Sequence, residues 1–299
     1  MKTNTWTRIV LSLALATLLV WAPACSEKPA TPATGSKSLA PDTSAKPAPA
    51  PAPDTSAKPA PAPDTSAVPV VAPASAEEAM KKLAARIKVP AVAVPKLAKA
   101  PEIDGVMDAA YSKATPVTLK FITGGDTKPA AATTAWVVST DKELFFFVKC
   151  ETPDMNDLMA NVRDHDGQVW DDDCVELFID PTNERGMDGY MHLMINSLGT
   201  TAEAKGPAGS EDFSWDPKLR VKTAKDKKAW TVELAIPFAD MVANPAKINK
   251  AWAVNINRMA YLLEGAEDTA WSPTETTSSH VPDKFGLLWL EAGTVENVK

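Results

Sequence analysis

Between Ala22 and Ala110 the chain has no Phe, Tyr, Trp or His, and its 299 residues include only three Cys. The missing aromatics exclude a packed core over that stretch, because too little apolar surface is available there to offset the entropy of ordering. The same stretch holds 16 of the 26 prolines. Three Cys without a C-x-x-C pair exclude both a disulfide scaffold and a zinc ribbon. The three histidines, His165, His192 and His280, are far apart and form no H-E-x-x-H, which argues against a catalytic zinc. No C-x-x-C-H is present for haem attachment, although Met191, Met194 and Met259 keep an electron-transfer sandwich among the alternatives. A basic excess is missing as well. With 31 Lys+Arg against 38 Asp+Glu the net charge is −7, and a nucleic-acid partner is not expected. Folding capacity therefore sits in the last two-thirds of the chain, enough for one domain of about 190 residues.

What is present begins with an address. Lys2 and Arg8 precede an apolar run from Ile9 to Trp21, too short to span a bilayer, which needs about 20 residues, but suited to a secretory signal core. Residues 1–24 read as a signal peptide. The run ends in Ala22-Pro23-Ala24-Cys25, which is similar to a bacterial lipobox, with Cys25 lipidated as the mature N-terminus. The plainer alternative is ordinary cleavage near Ala24, leaving Cys25 a free thiol. A lipid would tie the protein to a membrane without a spanning helix, and Ser26 in place of Asp resembles outer-membrane sorting. The expected location is the bacterial cell envelope, as an outer-membrane lipoprotein.

Residues 25–95 then read as a tether. Pro41-Asp42-Thr43-Ser44-Ala45-Lys46-Pro47-Ala48-Pro49-Ala50 recurs from Pro53 and from Pro63, a low-complexity pattern biased to polyproline II and without a fold of its own. Within this segment Ser75 is placed to cap a short helix over Ala76–Ile87, with Glu77 and Glu78 early and Arg86 late, as the helix dipole favours.

From Val117 the pattern changes to short β-branched and aromatic runs divided by turn formers. Strands are expected at Val117–Ile122, Thr133–Ser139, Glu143–Cys150, Cys174–Asp180, Tyr190–Ser197, Leu219–Thr223, Trp230–Ile236, Trp252–Ala260 and Gly286–Leu290. Trp230, Val232, Leu234 and Ile236 share one face, as do Trp252, Val254 and Ile256, while Asn255 and Asn257 oppose the latter. One apolar and one polar face per strand implies antiparallel sheets packed as an all-β sandwich, jelly-roll or immunoglobulin-like, over residues 96–292, with 293–299 a tail. Cys150 and Cys174 could form a disulfide in an oxidising compartment or remain a buried free pair.

Ile103-Asp104-Gly105, Val169-Trp170-Asp171-Asp172-Asp173-Cys174-Val175-Glu176-Leu177-Phe178-Ile179-Asp180-Pro181, Trp230 to Phe238, Asn255-Ile256-Asn257-Arg258, and Ala270-Trp271-Ser272-Pro273 through His280 to Gly286 occur in that order. Together they resemble the family 9 carbohydrate-binding modules over about Pro101–Glu291. The resemblance implies a non-catalytic domain that grips a sugar unit of an oligo- or polysaccharide between two Trp rings, with a Glu on its hydroxyls. Trp170 and Trp271 match those rings, and Glu176 matches the carboxylate. Either ring could instead close the end of the sandwich, and Trp215 is a weaker third choice. The basic partner on a neighbouring strand would be Arg258 or His192, and either could serve a structural ion pair. No cofactor is required on this reading, though calcium is an option. Asp164, Asp166, Asp171, Asp172 and Asp173 could supply oxygens for it, but they lack EF-hand spacing and also read as a solvated loop.

Two other functions compete. A glycosidase needs paired carboxyls about 5–9 Å apart across a cleft. Asp173 and Glu176 point to opposite faces of one strand, leaving Glu233 as the partner to examine. An envelope protein-interaction or structural domain would use the same exposed Trp loops on a polypeptide.

Overall fold

The computed structural model describes residues 75–294 apart from Ala208, so the leader, Cys25 and the repeats of the tether lie outside the described residues. Ser75 begins helix α1 (Ala76–Ile87) by accepting a hydrogen bond from the Glu78 N–H on its hydroxyl. The strands that follow are β1 (Ala91–Val94), β2 (Val117–Thr118), β3 (Lys120–Phe121), β4 (Thr133–Ser139), β5 (Glu143–Glu151), β6 (Cys174–Asp180) and β7 (Met191–Asn196). After them come β8 (Thr201–Lys205), β9 (Arg220–Lys225), β10 (Ala229–Pro237), β11 (Ala251–Leu262), β12 (Gly265–Ala270) and β13 (Gly286–Leu290). Between β10 and β11 lies the single-turn helix α2 (Phe238–Met241).

Two sheets result. The larger runs β1-β13-β11-β6-β7-β8, with β12 on β11 and β3 on β12, and the smaller runs β2-β4-β5-β10-β9. All pairs are antiparallel except β1 with β13. The core lies between the sheets and follows the alternation. Val175, Leu177 and Ile179 of β6 and Trp252, Val254 and Ile256 of β11 face Phe146 and Val148 of β5 and Trp230, Val232, Leu234 and Ile236 of β10. At about 25 cal/mol per Å² this apolar burial is the main favourable contribution to folding.

Strand β11 is the spine. Its first four residues pair with β13 and its last six with β12 on the same edge, and the ladder changes partner at Asn255 and Ile256. There the Trp271 N–H donates to the Ile256 carbonyl, and Asn255 bonds the backbone of Ser272 through both side-chain atoms.

The outer face of the smaller sheet is clasped by one carboxylate. Glu233 Oε2 accepts the N–H groups of Asp104 and Gly105 at 3.0 and 2.9 Å, and Oε1 accepts the Tyr111 hydroxyl at 3.1 Å. Gly105 has φ +84°, and a Cβ there would meet the Thr223 carbonyl carbon at 3.0 Å, so only glycine fits. The Ile103-Asp104-Gly105 motif is therefore a structural clasp. Glu233 lies on the outer face of the opposite sheet from Glu176, and the two cannot share a cleft.

The boundary expected at Lys96 is corrected. Strand β1 pairs with β13, and α1 lays Met80, Leu83 and Ala84 on Ala251, Leu287 and Trp289. Pro90 and Pro95 flank β1 and act through their carbonyls, accepting from Leu287 and Ser139, so the Pro-punctuated composition that reads as linker is compatible with an edge strand. Helix α1 and strand β1 therefore belong to the folded body. Of the two alternatives for Cys150 and Cys174, the structure holds the buried free thiols. Cys150 faces the inter-sheet core, whereas Cys174 lies on the outer face of the larger sheet with Val169, Met194 and Ala202.

Because α1 is part of the body, Leu83→Ala should destabilise the whole domain by about 2–4 kcal/mol. Differential scanning calorimetry is expected to give one transition at lower temperature, where a helix outside the cooperative unit would leave the transition unmoved.

Candidate functional site

The inner residues of β6 and the first half of β11 are apolar, and a cluster of polar side chains lies on the outer face of the larger sheet. Register sets the composition there. Asn257 of β11 stands opposite Glu176 of β6 on one side and Ala270 of β12 on the other, and Asn255 stands opposite Phe178. His192 of β7 is opposite Phe178, and Met194 is opposite Glu176. Helix α1 covers one end of this face, and Val169, packed on Cys174, Met194 and Ala202, covers the other. A polar patch remains in the middle.

Its centre is a buried pair. His192 Nε2 lies 2.8 Å from Glu176 Oε2, and the His192 ring stacks on Phe178 with centroids 4.1 Å apart and planes inclined by 16°. His280, from the loop before β13, meets His192 edge-on at 5.1 Å, and its Nδ1 is 2.8 Å from the Tyr190 hydroxyl. Burial, helped by the neighbouring His192, lowers the His280 pKa and favours its neutral form. Asp268, on β12, has its carboxyl pushed up to about 7 by burial and by the charge of Glu176. Asn257 is fully buried, and neither its Oδ1 nor its Nδ2 has a partner among the described residues. Asn255, two residues away on the same face, is satisfied. A buried amide without partners costs about 1–3 kcal/mol, and such a group asks for an explanation.

Trp170 follows Val169 at that end of the face. It sits in a 3₁₀ turn over Val169–Asp171, is 37% exposed, and its carbonyl accepts the Tyr261 hydroxyl. The turn is held from below. Asp172 accepts the N–H groups of Asn161 and Val162 and the Asn196 amide, and Asp173 accepts the Met159 N–H. Both Asp172 oxygens and Asp173 Oδ2 are thus spent on N–H groups that hold this segment. On the opposite rim, Asp180 caps the turn after β6 by accepting N–H groups of Thr182, Asn183 and Arg185, and Arg185 Nη1 reaches the carbonyls of Pro282, Asp283 and Phe285. That bond set fixes the loop that presents His280.

Two expected site residues lie elsewhere. Trp271 is 7% exposed and belongs to the inter-sheet core, where its ring rests on Gly286 so closely that a Cβ would meet it at 2.5 Å. It does not stand as an open wall opposite Trp170. Arg258 is buried on the inner face, because it shares the parity of Trp252, Val254 and Ile256. There its guanidinium donates to the Ala131 and Glu151 carbonyls and to the Thr133 and Thr152 hydroxyls, lies 3.7 Å from Asp173, and stands over the Trp230 ring. It ties the sheets together. Glu176 and His192 are brought together, with Trp170 at the rim. Asn257, Asp268 and His280 were missed, though the parity that set Asn257 opposite Trp252 was readable. Trp215 donates its indole N–H to the Asp240 carbonyl on another edge. The thiols are inert, since burial raises the pKa of both, that of Cys150 to about 11.

A two-sheet sandwich with a polar patch on one outer face defines the class: a β-sandwich module. The family model described as carbohydrate family 9 binding domain-like matches residues 103–292, and the chain belongs to that family. A search of curated proteins finds no match. Among solved structures, a family 9 carbohydrate-binding module from Caldicellulosiruptor kristjanssonii in complex with cellotriose is similar at 16% identity and a TM-score of 0.52, over 68% of this chain and 94% of that one. The same organism's module in complex with glucose aligns at 15% identity, TM-score 0.50, over 68% and 96%. A putative carbohydrate-binding protein from Bacteroides uniformis aligns at 18% identity, TM-score 0.55, over 68% and 99%.

The raised Asp268 pKa has a signed consequence. Between its ordinary value of 3.8 and about 7 the folded chain holds a proton that the unfolded chain releases. Stability contributed by this group therefore falls as pH rises through that window. Asp268→Asn should flatten the decline, leaving the variant with the higher melting temperature at pH 8 and no such advantage at pH 4, as read by calorimetry across that range.

Proposed function

We propose that this chain is a non-catalytic saccharide-binding module whose site is the polar patch on the outer face of the larger sheet. Glu176 and His192 would hydrogen-bond ring hydroxyls, and Trp170 would lie against the C–H face of the sugar. One observation carries the reading: a buried Glu–His pair adjoins an amide, Asn257, that has no partner among the described residues, with an exposed indole at the rim. Charged acceptors bind hydroxyls more strongly than neutral ones, and an indole supplies the flat apolar surface that the other face of a pyranose needs. The cellotriose and glucose bound by the similar structures make gluco-configured sugars the first probes. On this reading Trp170 is the tryptophan that meets the sugar, and His280 borders the patch on the loop side.

The N-terminal sequence supports an envelope location, with Cys25 lipidated and the Pro/Ala-rich segment as a spacer that lets the module reach a glycan while the anchor stays in the membrane. Labelled palmitate should enter the wild-type chain in a bacterial host and be absent from Cys25→Ser.

For binding, titration calorimetry with cellotriose is expected to show saturable uptake. Trp170→Ala and Glu176→Gln should each lose about 10–100-fold in affinity. Trp170→Ala should leave the melting temperature within about 2 °C of wild type, as surface substitutions do. Undiminished affinity in both variants, or no binding across a panel of neutral oligosaccharides, would refute the proposal.

A further inference from the structure

His165, Asp166 and Glu203 offer one imidazole nitrogen and two carboxylate oxygens that lie within 4.8 Å of one another. His165 Nε2 is 2.8 Å from Glu203 Oε2, and Nδ1 is 3.4 Å from Asp166 Oδ2. Glu203 projects from the middle of β8, and its side chain is only 2% exposed. A buried carboxylate normally keeps a permanent countercharge. Among the described residues no Lys or Arg pairs with Glu203 or Asp166, and His165, half exposed to solvent, is the one ion-pair partner of each. The ligands are also held in place. The Asp166 N–H donates to the Thr201 carbonyl, the Glu203 N–H donates to Asp166 Oδ1, and the Asn196 amide and Thr200 hydroxyl both donate to the Val162 carbonyl just upstream.

We propose that this triad binds one divalent transition-metal ion of the zinc type, fastening the 162–171 segment to β8. An imidazole with two carboxylates is a donor set suited to first-row metals, whereas calcium takes six to eight oxygens. Two carboxylates and a neutral imidazole balance the charge of the ion, and solvent on the exposed His165 side completes the coordination. The fastened segment is the one that carries Trp170 at its end, yet the proposal stands on its own ligands and does not require that a sugar binds.

The test uses the full chain, stripped with chelator and titrated with ZnCl₂ and separately with CaCl₂ in a calorimeter. One zinc equivalent should bind, and calcium should bind more weakly. His165→Ala and Glu203→Gln should each weaken zinc by at least about 100-fold, since loss of a ligand exceeds the 10–100-fold seen for outer-shell partners. Because Glu203→Gln removes a buried charge and could perturb folding, His165→Ala, whose side chain is half exposed, provides the independent variant, with a melting curve run alongside. Hydrogen exchange of the amides in 162–171 should slow on adding zinc to wild type and stay unchanged in His165→Ala. No saturable zinc binding, equal binding in His165→Ala, tighter calcium than zinc, or unaltered exchange in wild type would each overturn it.

Discussion

Buried polar atoms must find partners, and the outer face of the larger sheet is organised by where that demand is met. Asn255 meets it through the backbone of Ser272 at the point where β11 changes from β13 to β12. Asn257, one pleat further along, does not meet it among the described residues. The difference arises from topology. Next to Asn255 the edge of β11 is free of strand, so loop backbone can enter, whereas Asn257 is flanked by two paired strands whose backbone groups are already committed to the ladder. Its amide is held in place by the register and stays buried without a partner among the described residues.

Most of the fold was legible because nearly every strand obeys period-two alternation on a buried face, and helix α1 begins at the Ser75 cap and carries the expected early acids. The strands that were missed share a different physics. β8 (Thr201–Lys205) and β12 (Gly265–Ala270) are rich in Ala, Glu and Asp and have little intrinsic strand preference. They are strands because hairpins deliver them to the edges of β7 and β11. β1 was hidden by its composition: Ala-Val-Ala-Val between two prolines looks like more tether, and only the free edge of β13 makes it a strand. Edge pairing is a long-range property, and no local window carries it.

The candidate patch was legible in part: the motif resemblance offered Glu176 and Trp170, the strand pattern offered His192, and the structure brings Glu176 and His192 into contact. Arg258 could have been placed from the alternation already in hand, since an even position in the Trp252–Ile256 series faces the core. The resemblance pointed outward and the parity pointed inward, and parity is the stronger physical statement. Trp271 failed for another reason. A Trp followed by Ser-Pro in a polar loop reads as exposed, but Gly286 on the neighbouring strand opens room for an indole between the sheets, and a ring of that size contributes more when packed there than in water. His280 lies nine residues further along the same loop and has no motif around it. Only the Arg185 bonds to the 282–285 carbonyls bring it back over the sheet.

Much of the acidic sequence that looks like chemistry is spent on holding loops. Asp172, Asp173, Asp180 and Glu233 all accept backbone N–H groups, and each fixes a segment that would otherwise be free to move. This matters for a weakly interacting, neutral ligand more than for a charged one. Binding a few hydroxyls gains little per contact, so ordering a loop at the moment of binding would consume the gain. A segment already fastened at Asn161, Val162 and Met159 presents Trp170 at little further entropic cost, and a loop already fastened by Arg185 does the same for His280. On the proposed reading, the carboxylates that hold these loops are what would let Glu176 act on a sugar.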